Sequence, residues 1–290
     1  MTAARSRDRV LFVEHIRKGA GMLSTQRQTS TRRRGRLVER LGVAVGALAL
    51  LGGTVPAGAS VSGIYTGTGY DVSYPNCNSP LPSSASFAII GVGGGRPFTA
   101  NTCASDEWTA ASKVTSITSR SLYFNTGYAG GYAKSINPTC VTDLGSAAVA
   151  WGSSRHEKSQ EQQAWEIGCS EALYAQGVQP GRPSAWWADV ETLNSWSANT
   201  TLNRYVIDGL SSGMSSAGVP FGYYSSPAMW GSITGSLTWA PPRPVPALSG
   251  VWVAGGACPS TTGSSQMAGG PTWLAQSGTS SAGVDLDKGC

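Results

Sequence analysis

The sequence predicts an α/β fold: a single (β/α) barrel of the TIM type, regular or irregular, stapled by disulfide bonds. Short apolar runs bounded by Gly, Ser or Pro alternate with helical patterns, which favours a parallel sheet. Residues 60–290 contain no long linker, and a stretch of this length suits one closed α/β barrel as a single domain. Six cysteines in the same stretch supply the staples.

Residues 1–59 predict an N-terminal extension with an export signal. The basic segment Thr31–Arg40 precedes the apolar run Leu41–Leu51, and Ala57-Gly58-Ala59 follows. The apolar run is shorter than the roughly 20 residues that a spanning helix needs, although an uncleaved membrane anchor is the alternative. We expect a true start at Met22, cleavage near Ala59 and a secreted protein associated with the cell wall. Arg32-Arg33-Arg34 leaves Sec and Tat export both open.

The net charge of +5 belongs to this extension. Residues 1–59 hold 11 Lys and Arg against 3 Asp and Glu, which leaves 10 and 13 in the rest of the chain. The mature domain is therefore acidic, with a net charge of −3. We expect no nucleic-acid partner, no stable membrane insertion after cleavage, and a monomer.

Seven apolar runs predict the strands in order along the barrel. They are Gly69–Tyr74, Phe87–Val92, Leu122–Asn125, Ala185–Val190, Phe221–Tyr224, Val251–Ala254 and Trp273–Gln276. Helical spacing predicts helices from Ser105 to Val114, over His156–Gln176 and over Leu202–Met214. The glycines of Gly91–Gly95 precede Arg96-Pro97 rather than a helix start, so we interpret them as a turn with close backbone approach and not as a dinucleotide loop.

The cysteines fit an exported protein. None forms a C-x-x-C motif, and six cysteines allow 15 pairings. We predict the sequential set, Cys77–Cys103, Cys140–Cys169 and Cys258–Cys290, each of which joins a loop to a nearby element. The wide thiol spacing and the single histidine of residues 60–290 predict no metal site, and the sequence indicates no cofactor.

Carboxyl side chains are the catalytic groups that the sequence offers. His156 lies among charged residues at a helix start and is interpreted as a surface residue, which argues against Ser-His-Asp catalysis. We assign a second set of acids to exposed helix faces or first helical turns: Asp106, Glu107, Glu161, Glu166 and Glu171.

Four acids stand at the ends of apolar runs and are the candidate catalytic residues: Asp71, Asp189, Glu191 and Asp285. On a strand, Asp189 and Glu191 point to the same side, with Val190 turned toward the helices. Strand ends of an α/β barrel meet at its C-terminal mouth, where such folds keep their active sites. Clustered, partly buried carboxyls raise one another's pKa and so provide a proton donor beside an ionised partner, as glycoside hydrolysis requires. The alternative is that these acids cap helices or pair with cations in loops.

These residues resemble glycoside hydrolase family 25, the muramidases that cleave peptidoglycan. Four motifs carry the resemblance in order, namely Gly69-Tyr70-Asp71-Val72-Ser73 for G-x-D-V-S, Asp189-Val190-Glu191 for D-x-E, Gly222–Ser225 for G-x-Y-S, and Trp273–Gln276 with Val284–Asp287 for W-Q…V-D-L-N. The loop Gly91–Phe98 departs from the family pattern. Tyr70–Cys77 and Phe98–Cys103 resemble instead the glycoside-hydrolase-like barrels of unknown function secreted by high-GC Gram-positive bacteria.

The resemblance implies a role for each candidate. Glu191 would be the general acid/base, and Asp71, Asp189 and Asp285 would orient the substrate or water and stabilise positive charge on the sugar. Substrate-binding candidates are Tyr123, Trp187, Tyr224, Trp252 and Gln276. The expected partner is cell-wall glycan, cleaved by a lysozyme-like hydrolase or, alternatively, bound by a barrel with a degenerate active site. A disulfide-stapled structural or effector protein is a third hypothesis.

Overall fold

Eight β-strands close into a barrel in the computed structural model, which describes residues 64–141, 158–242, 250–259 and 267–290. The strands are β1 (Thr68–Val72), β2 (Phe87–Gly91), β3 (Ser119–Asn125), β4 (Trp186–Asp189), β5 (Phe221–Ser225), β6 (Val251–Val253), β7 (Thr272–Thr279) and β8 (Asp285–Gly289). The α-helices are α1 (Ala104–Ser112), α2 (Lys158–Gly177), α3 (Thr200–Met214) and α4 (Pro227–Thr234). The predicted barrel is confirmed, in an irregular form without an α-helix between β1 and β2.

The strands follow one another around the barrel in chain order, and β1 to β7 pair in parallel. The last strand, β8, is antiparallel to both β7 and β1. The predicted parallel sheet is confirmed for β1 to β7, and the antiparallel β8 is the irregular element that closes the barrel. Only the turn 280–284 separates β7 from β8, and a connection this short permits antiparallel pairing but no parallel crossover.

The strand side chains divide into two apolar layers because alternate residues point to opposite faces of the sheet. Phe87, Ile89, Trp187, Trp252 and Leu274 fill the inside of the barrel. The outer layer packs against the helices, and its strand members include Tyr70, Ile90, Trp186 and Phe221. The interior of the barrel is consequently a packed core rich in aromatic side chains, so a ligand can bind only at the ends of the barrel.

Each of the seven predicted runs overlaps a strand, and the three predicted helices correspond to α1, α2 and α3. The short α4 was not predicted. It begins after Ser226, whose hydroxyl accepts a hydrogen bond from the Met229 amide, with Pro227 in the first turn. These are ordinary N-terminal signals of a helix, but eight residues carry too little periodicity to be distinguished from a loop.

The three disulfides are those predicted: Cys77–Cys103, Cys140–Cys169 and Cys258–Cys290. The first joins the loop after β1 to the start of α1, and the second ties a loop after β3 to α2. The third joins the loop after β6 to the residue that follows β8. Both partners of the third bond therefore lie next to the antiparallel closure.

The glycine-rich turn after β2 is confirmed as a site of close approach. A Cβ atom at Gly91 would lie 2.7 Å from Cβ of Ser73 and 2.7 Å from the Tyr123 ring. Gly95 has a φ of +81°, a conformation that favours glycine. The loop therefore packs tightly against the residues that follow β1 and against β3.

Three helical acids are buried; for Glu166 and Glu171 this contradicts the predicted exposed face, whereas Glu107 lies in the first turn of α1 as predicted. Glu107, Glu166 and Glu171 are all buried, with Glu171 only 1% exposed. Glu107 accepts a hydrogen bond from Nδ2 of Asn101 at 2.8 Å, and Gln162 donates one to Glu166 at 2.8 Å. Burial raises the pKa of Glu171 well above its ordinary value, with one opposing hydrogen bond from the Gly127 amide. The loop after β3 covers this part of α2, which helical periodicity alone does not reveal.

The proposed export signal, the start at Met22, the cleavage near Ala59 and the surface position of His156 lie outside the described residues. Within the described ranges, no helix combines the length and apolarity required to cross a membrane.

Candidate active site

The predicted acids meet at one end of the barrel, which we call the mouth: the edge formed by the carboxyl ends of β1 to β7. Asp71 lies near the end of β1, Asp189 ends β4, and Glu191 follows two residues later. Asp285 begins β8, yet it pairs in register with Asp71 because β8 is antiparallel to β1. Strand reversal thus brings an acid from the start of a strand to the edge where the other strands end.

Asp71 of β1 and Asp287 of β8, which we call the β8 pair, are together more buried than Asp189 and Glu191. Asp71 is 7% exposed and accepts a hydrogen bond from Nε2 of Gln276 at 3.1 Å. Asp287 is 1% exposed and accepts one from Nε1 of Trp252 at 2.8 Å. Burial, followed by the negative charge of Asp285, raises the pKa of Asp71 to about 7. Burial and the adjacent Asp71 raise the pKa of Asp287 well above its ordinary value.

The β4 pair, Asp189 and Glu191, lies across the mouth. Asp189 is 4% exposed, and Nδ2 of Asn125 donates a hydrogen bond to its Oδ2 at 2.6 Å. Burial and the charge of Glu191 raise the pKa of Asp189 to about 8. Glu191 is partly exposed, and its pKa is raised by burial and by the charge of Asp285. Glu191 therefore combines a raised proton affinity with access to solvent.

Asp285 interacts electrostatically with both pairs. Its charge raises the pKa of both Asp71 and Glu191. The side chain is partly exposed, and Oγ1 of Thr279 donates a hydrogen bond to its Oδ1 at 2.7 Å. The structure thus brings all four predicted acids into mutual electrostatic contact.

Two of the predicted stacking residues occupy a different place. Trp187 is 0% and Trp252 2% exposed, and their rings meet at 6.0 Å inside the barrel. The expectation that they stack on sugar faces is corrected, because neither ring face is open. The indole of Trp187 donates to the hydroxyl of Tyr65, and that of Trp252 donates to Asp287. Both tryptophans form the floor beneath the carboxyl groups.

Tyr123, Tyr224 and Gln276 remain partly exposed. The Tyr224 hydroxyl donates to Oε1 of Gln276 at 2.8 Å, which orients the amide that donates to Asp71. The Tyr224 ring lies 4.5 Å from that of Trp252, centroid to centroid. These three side chains can contact a ligand in the mouth while they stay fixed to the floor.

Sequence reasoning missed two residues of the site, Asp287 and Asn125. Asp287 stands two places after Asp285, so the alternation of a strand would have placed both on the same face. Residues 285–289 have only one apolar side chain, Leu286, so their pattern does not predict a strand. Asn125 ends β3 beside β4 and is paired in register with Asp189.

A groove of about 460 Å³ lies beside Glu191. Its lining carries amides, hydroxyls and one indole, without a charged side chain: Thr192, Asn194, Trp196, Ser197, Ala198, Asn203, Ser232 and Ile233. The Trp196 indole donates a hydrogen bond to the main-chain oxygen of Glu191 at 2.8 Å. The wall of the groove is therefore connected directly to the loop that carries Glu191. Within the described ranges, no group of His, Cys, Asp and Glu has an arrangement that could hold a metal ion.

Residues 123–243 match a family model, Lys-1, described as lysozyme-like protein 1. The middle of the chain resembles lysozyme-like proteins. The matched segment contains Asp189, Glu191 and Tyr224, and it supports the resemblance for the two motifs that lie within it. No curated protein matches the sequence.

Solved structures of an autolysin and an endolysin are similar to the chain at low identity. The modular autolysin LytC from Streptococcus pneumoniae is 12% identical, with a TM-score of 0.45 over 76% of this chain and 46% of that one. The modular Cpl-1 endolysin, complexed with a peptidoglycan analogue, is 14% identical, with a TM-score of 0.42 over 78% of this chain and 54% of that one. The chain thus spans about half the length of either.

Proposed function

We propose that this protein is a secreted glycoside hydrolase acting on peptidoglycan or another cell-wall glycan, with Glu191 as the general acid/base. The observation that carries the proposal is the meeting of the β4 pair, the β8 pair and Asp285 at the mouth, with raised pKa values at four of the five carboxyls. Proton donors and ionised carboxylates side by side are what hydrolysis of a glycosidic bond requires.

Glu191 suits the role of proton donor because it is the one of the four carboxyls with a raised pKa that is partly exposed. Its proton would pass to the glycosidic oxygen as the bond from that oxygen to the anomeric carbon breaks. Water would then add to the anomeric carbon, and an ionised carboxylate would accept the proton that the water loses. Asp71 and Asp189 have pKa values of about 7 and about 8, so their ionised fractions could offset the positive charge on the sugar ring near neutral pH.

The lysozyme-like match supports peptidoglycan as the substrate class. The three disulfides and the predicted N-terminal signal support an extracellular location, since disulfides persist in oxidising compartments. Cell-wall glycan is accordingly the partner that we propose.

The test is release of reducing ends from purified peptidoglycan by the wild-type protein and by Glu191→Gln. Glu161→Gln, on the partly exposed side of α2, is the matched control. We expect the wild type and Glu161→Gln to release reducing ends, and Glu191→Gln to lose release by about 100-fold or more while its thermal unfolding stays unchanged. Full activity of Glu191→Gln would overturn the catalytic assignment.

A non-catalytic glycan-binding barrel is the second candidate. The groove beside Glu191 favours it, because neutral amides, hydroxyls and an indole can bind a saccharide without supplying a proton. This alternative predicts that the wild-type protein co-sediments with peptidoglycan and releases no reducing ends. Co-sedimentation would then be unaffected by Glu191→Gln and weakened by Trp196→Ala.

A further inference from the structure

The antiparallel course of β8 brings a fifth acid into the barrel interior. Asp287 pairs in register with Gly69 of β1, two residues deeper than the pair formed by Asp71 and Asp285. It is 1% exposed, and the Trp252 indole donates to its Oδ1. A carboxyl with so little contact with water has to be neutral or supplied with hydrogen-bond donors.

The donors around the β8 pair are too few for two ionised carboxylates. Asp71 receives the Gln276 amide, and Asp287 receives the Trp252 indole. Oδ2 of Asp287 is buried and receives no N–H or O–H from the described residues. Asp71 lies opposite Asp285 and Asp287 lies opposite Gly69, so both carboxyls are on the same face of the neighbouring strands β1 and β8, and each affects the pKa of the other as a hydrogen-bond partner. Two carboxyl oxygens can form a hydrogen bond only when one of them carries a proton.

Burial places the proton on Asp287 rather than on Asp71. Asp287 is the deeper of the two and loses more hydration as an anion. The neighbouring carboxylates add negative charge, which favours retention of one proton by the pair: Asp285 and Glu191 raise the pKa of Asp71, Asp285 raises that of Asp287, and Asp189 interacts with Asp71. The other titratable groups that interact with one or both members are the neutral phenols of Tyr65, Tyr123 and Tyr224.

We propose that Asp287 is a positioning residue: in its protonated form it donates a hydrogen bond to Asp71 and holds that carboxylate ionised and oriented at the mouth. Asp287 itself does not contact substrate. Its effect on turnover rests on the proposed function, whereas its effect on the titration of Asp71 does not. A purely structural Asp287 would anchor the Trp252 indole and leave the titration of Asp71 unchanged.

The test is the pKa of Asp71, measured from carboxyl ¹³C chemical shifts in protein labelled at aspartate and assigned with Asp71→Asn. In Asp287→Leu the donor is lost, so we expect the pKa of Asp71 to rise by about one unit or more. In Asp287→Asn the amide accepts from Trp252 and donates to Asp71, so the pKa of Asp71 should stay within about half a unit of the wild-type value. Asp106→Asn, an exposed site on α1, is the control and should leave it unchanged.

A reciprocal measurement decides the matter if Asp287→Leu does not fold. Asp71→Asn removes the negative charge beside Asp287, so the pKa of Asp287 should fall by about one unit or more. An unchanged Asp287 titration in Asp71→Asn, or an unchanged Asp71 titration in Asp287→Leu, would overturn the proposal. So would a shift in Asp287→Asn as large as that in Asp287→Leu.

Activity separates this proposal from the proposed function. If the wild type cleaves peptidoglycan, the pH dependence of kcat should move in Asp287→Leu together with the titration of Asp71, and Asp287→Asn should restore it. If the wild type releases no reducing ends, the proposed function fails. The titrations would still support or contradict the hydrogen bond from Asp287.

Discussion

The two sides of the mouth hold their carboxyls in different ways. On the β8 side, Asp71 and Asp287 are nearly excluded from water and receive donors from Gln276 and Trp252. On the β4 side, Asp189 is held by the Asn125 amide, whereas Glu191 lies past the end of the strand and reaches solvent. The β8 side holds two buried carboxyls in fixed positions, whereas the β4 side exposes Glu191, whose pKa is raised, to solvent.

The difference follows from the direction of the strands. A parallel strand such as β4 ends at the mouth, so the residues after Asp189 continue into an open loop. The antiparallel β8 begins at the mouth and runs inward, so alternate residues reach progressively deeper. We infer that the loop after β4 suits a proton donor and that the interface of β1 and β8 suits a buried pair of carboxyls that holds negative charge.

After Glu191→Gln, Asp71→Asn should produce the largest effect on activity, because it removes the negative charge of the β8 pair. We expect the rate of reducing-end release to fall by about 100-fold, with the fold intact, since an amide can accept the same Gln276 hydrogen bond. The measurement is steady-state release at the wild-type pH optimum. Asp106→Asn is the matched control. A loss below about threefold in Asp71→Asn would contradict a catalytic need for negative charge on the β8 side.

Removal of single disulfide bonds compares the region around β8, where the barrel closes, with a region away from it. The bonds Cys140–Cys169 and Cys258–Cys290 span 29 and 32 residues, so removal of either by paired Cys→Ser substitution should cost about 3 kcal/mol of unfolding free energy. Of the two bonds, only Cys258–Cys290 holds the residue that directly follows β8. Chemical denaturation should therefore give similar losses of stability, while activity at a temperature where both variants are folded should fall several-fold more without Cys258–Cys290. Equal activities would show that β8 needs no such anchor.

The pH dependence of stability reports the burial of Asp189. Its pKa is raised to about 8 in the folded protein, above the ordinary value of 3.8, so the folded chain binds the extra proton between those values. The unfolding free energy should therefore fall as pH rises through this window, by at most about 1.4 kcal/mol per pH unit for this one group. Asp189→Asn should make the slope shallower, measured by denaturant unfolding from about pH 5 to 7.5. An unchanged slope would mean that Asp189 is ionised in the folded state.

Tyr224→Phe should produce the smallest effect. It removes the hydroxyl that orients the Gln276 amide toward Asp71 and leaves the ring against Trp252. We expect a loss of a few-fold in turnover, consistent with one net hydrogen bond of about 1 kcal/mol. Tyr74→Phe, at a ring that is 49% exposed, is the control and should be neutral. A loss as large as that of Asp71→Asn would give Tyr224 a direct part in catalysis.

The β4 side could be predicted from the sequence, and the β8 side only in part. Trp186-Trp187 and Val190 mark a buried strand, so the direction of Asp189 and Glu191 follows from alternation. Residues 285–289 contain one apolar side chain, Leu286, and their strand exists because β7 and β1 provide partners on both sides. The burial of Trp187, Trp252 and Glu171 depends on tertiary packing, which local patterns do not contain.

The most direct test of the acidic mouth is a crystal structure of Glu191→Gln with a peptidoglycan fragment bound. We predict a glycan lying across the mouth, with the amide of residue 191 about 3 Å from a glycosidic oxygen. The adjoining sugar ring should face Asp71 and Asp189. A fragment bound on another surface, or in the mouth with no glycosidic oxygen within reach of residue 191, would contradict the account.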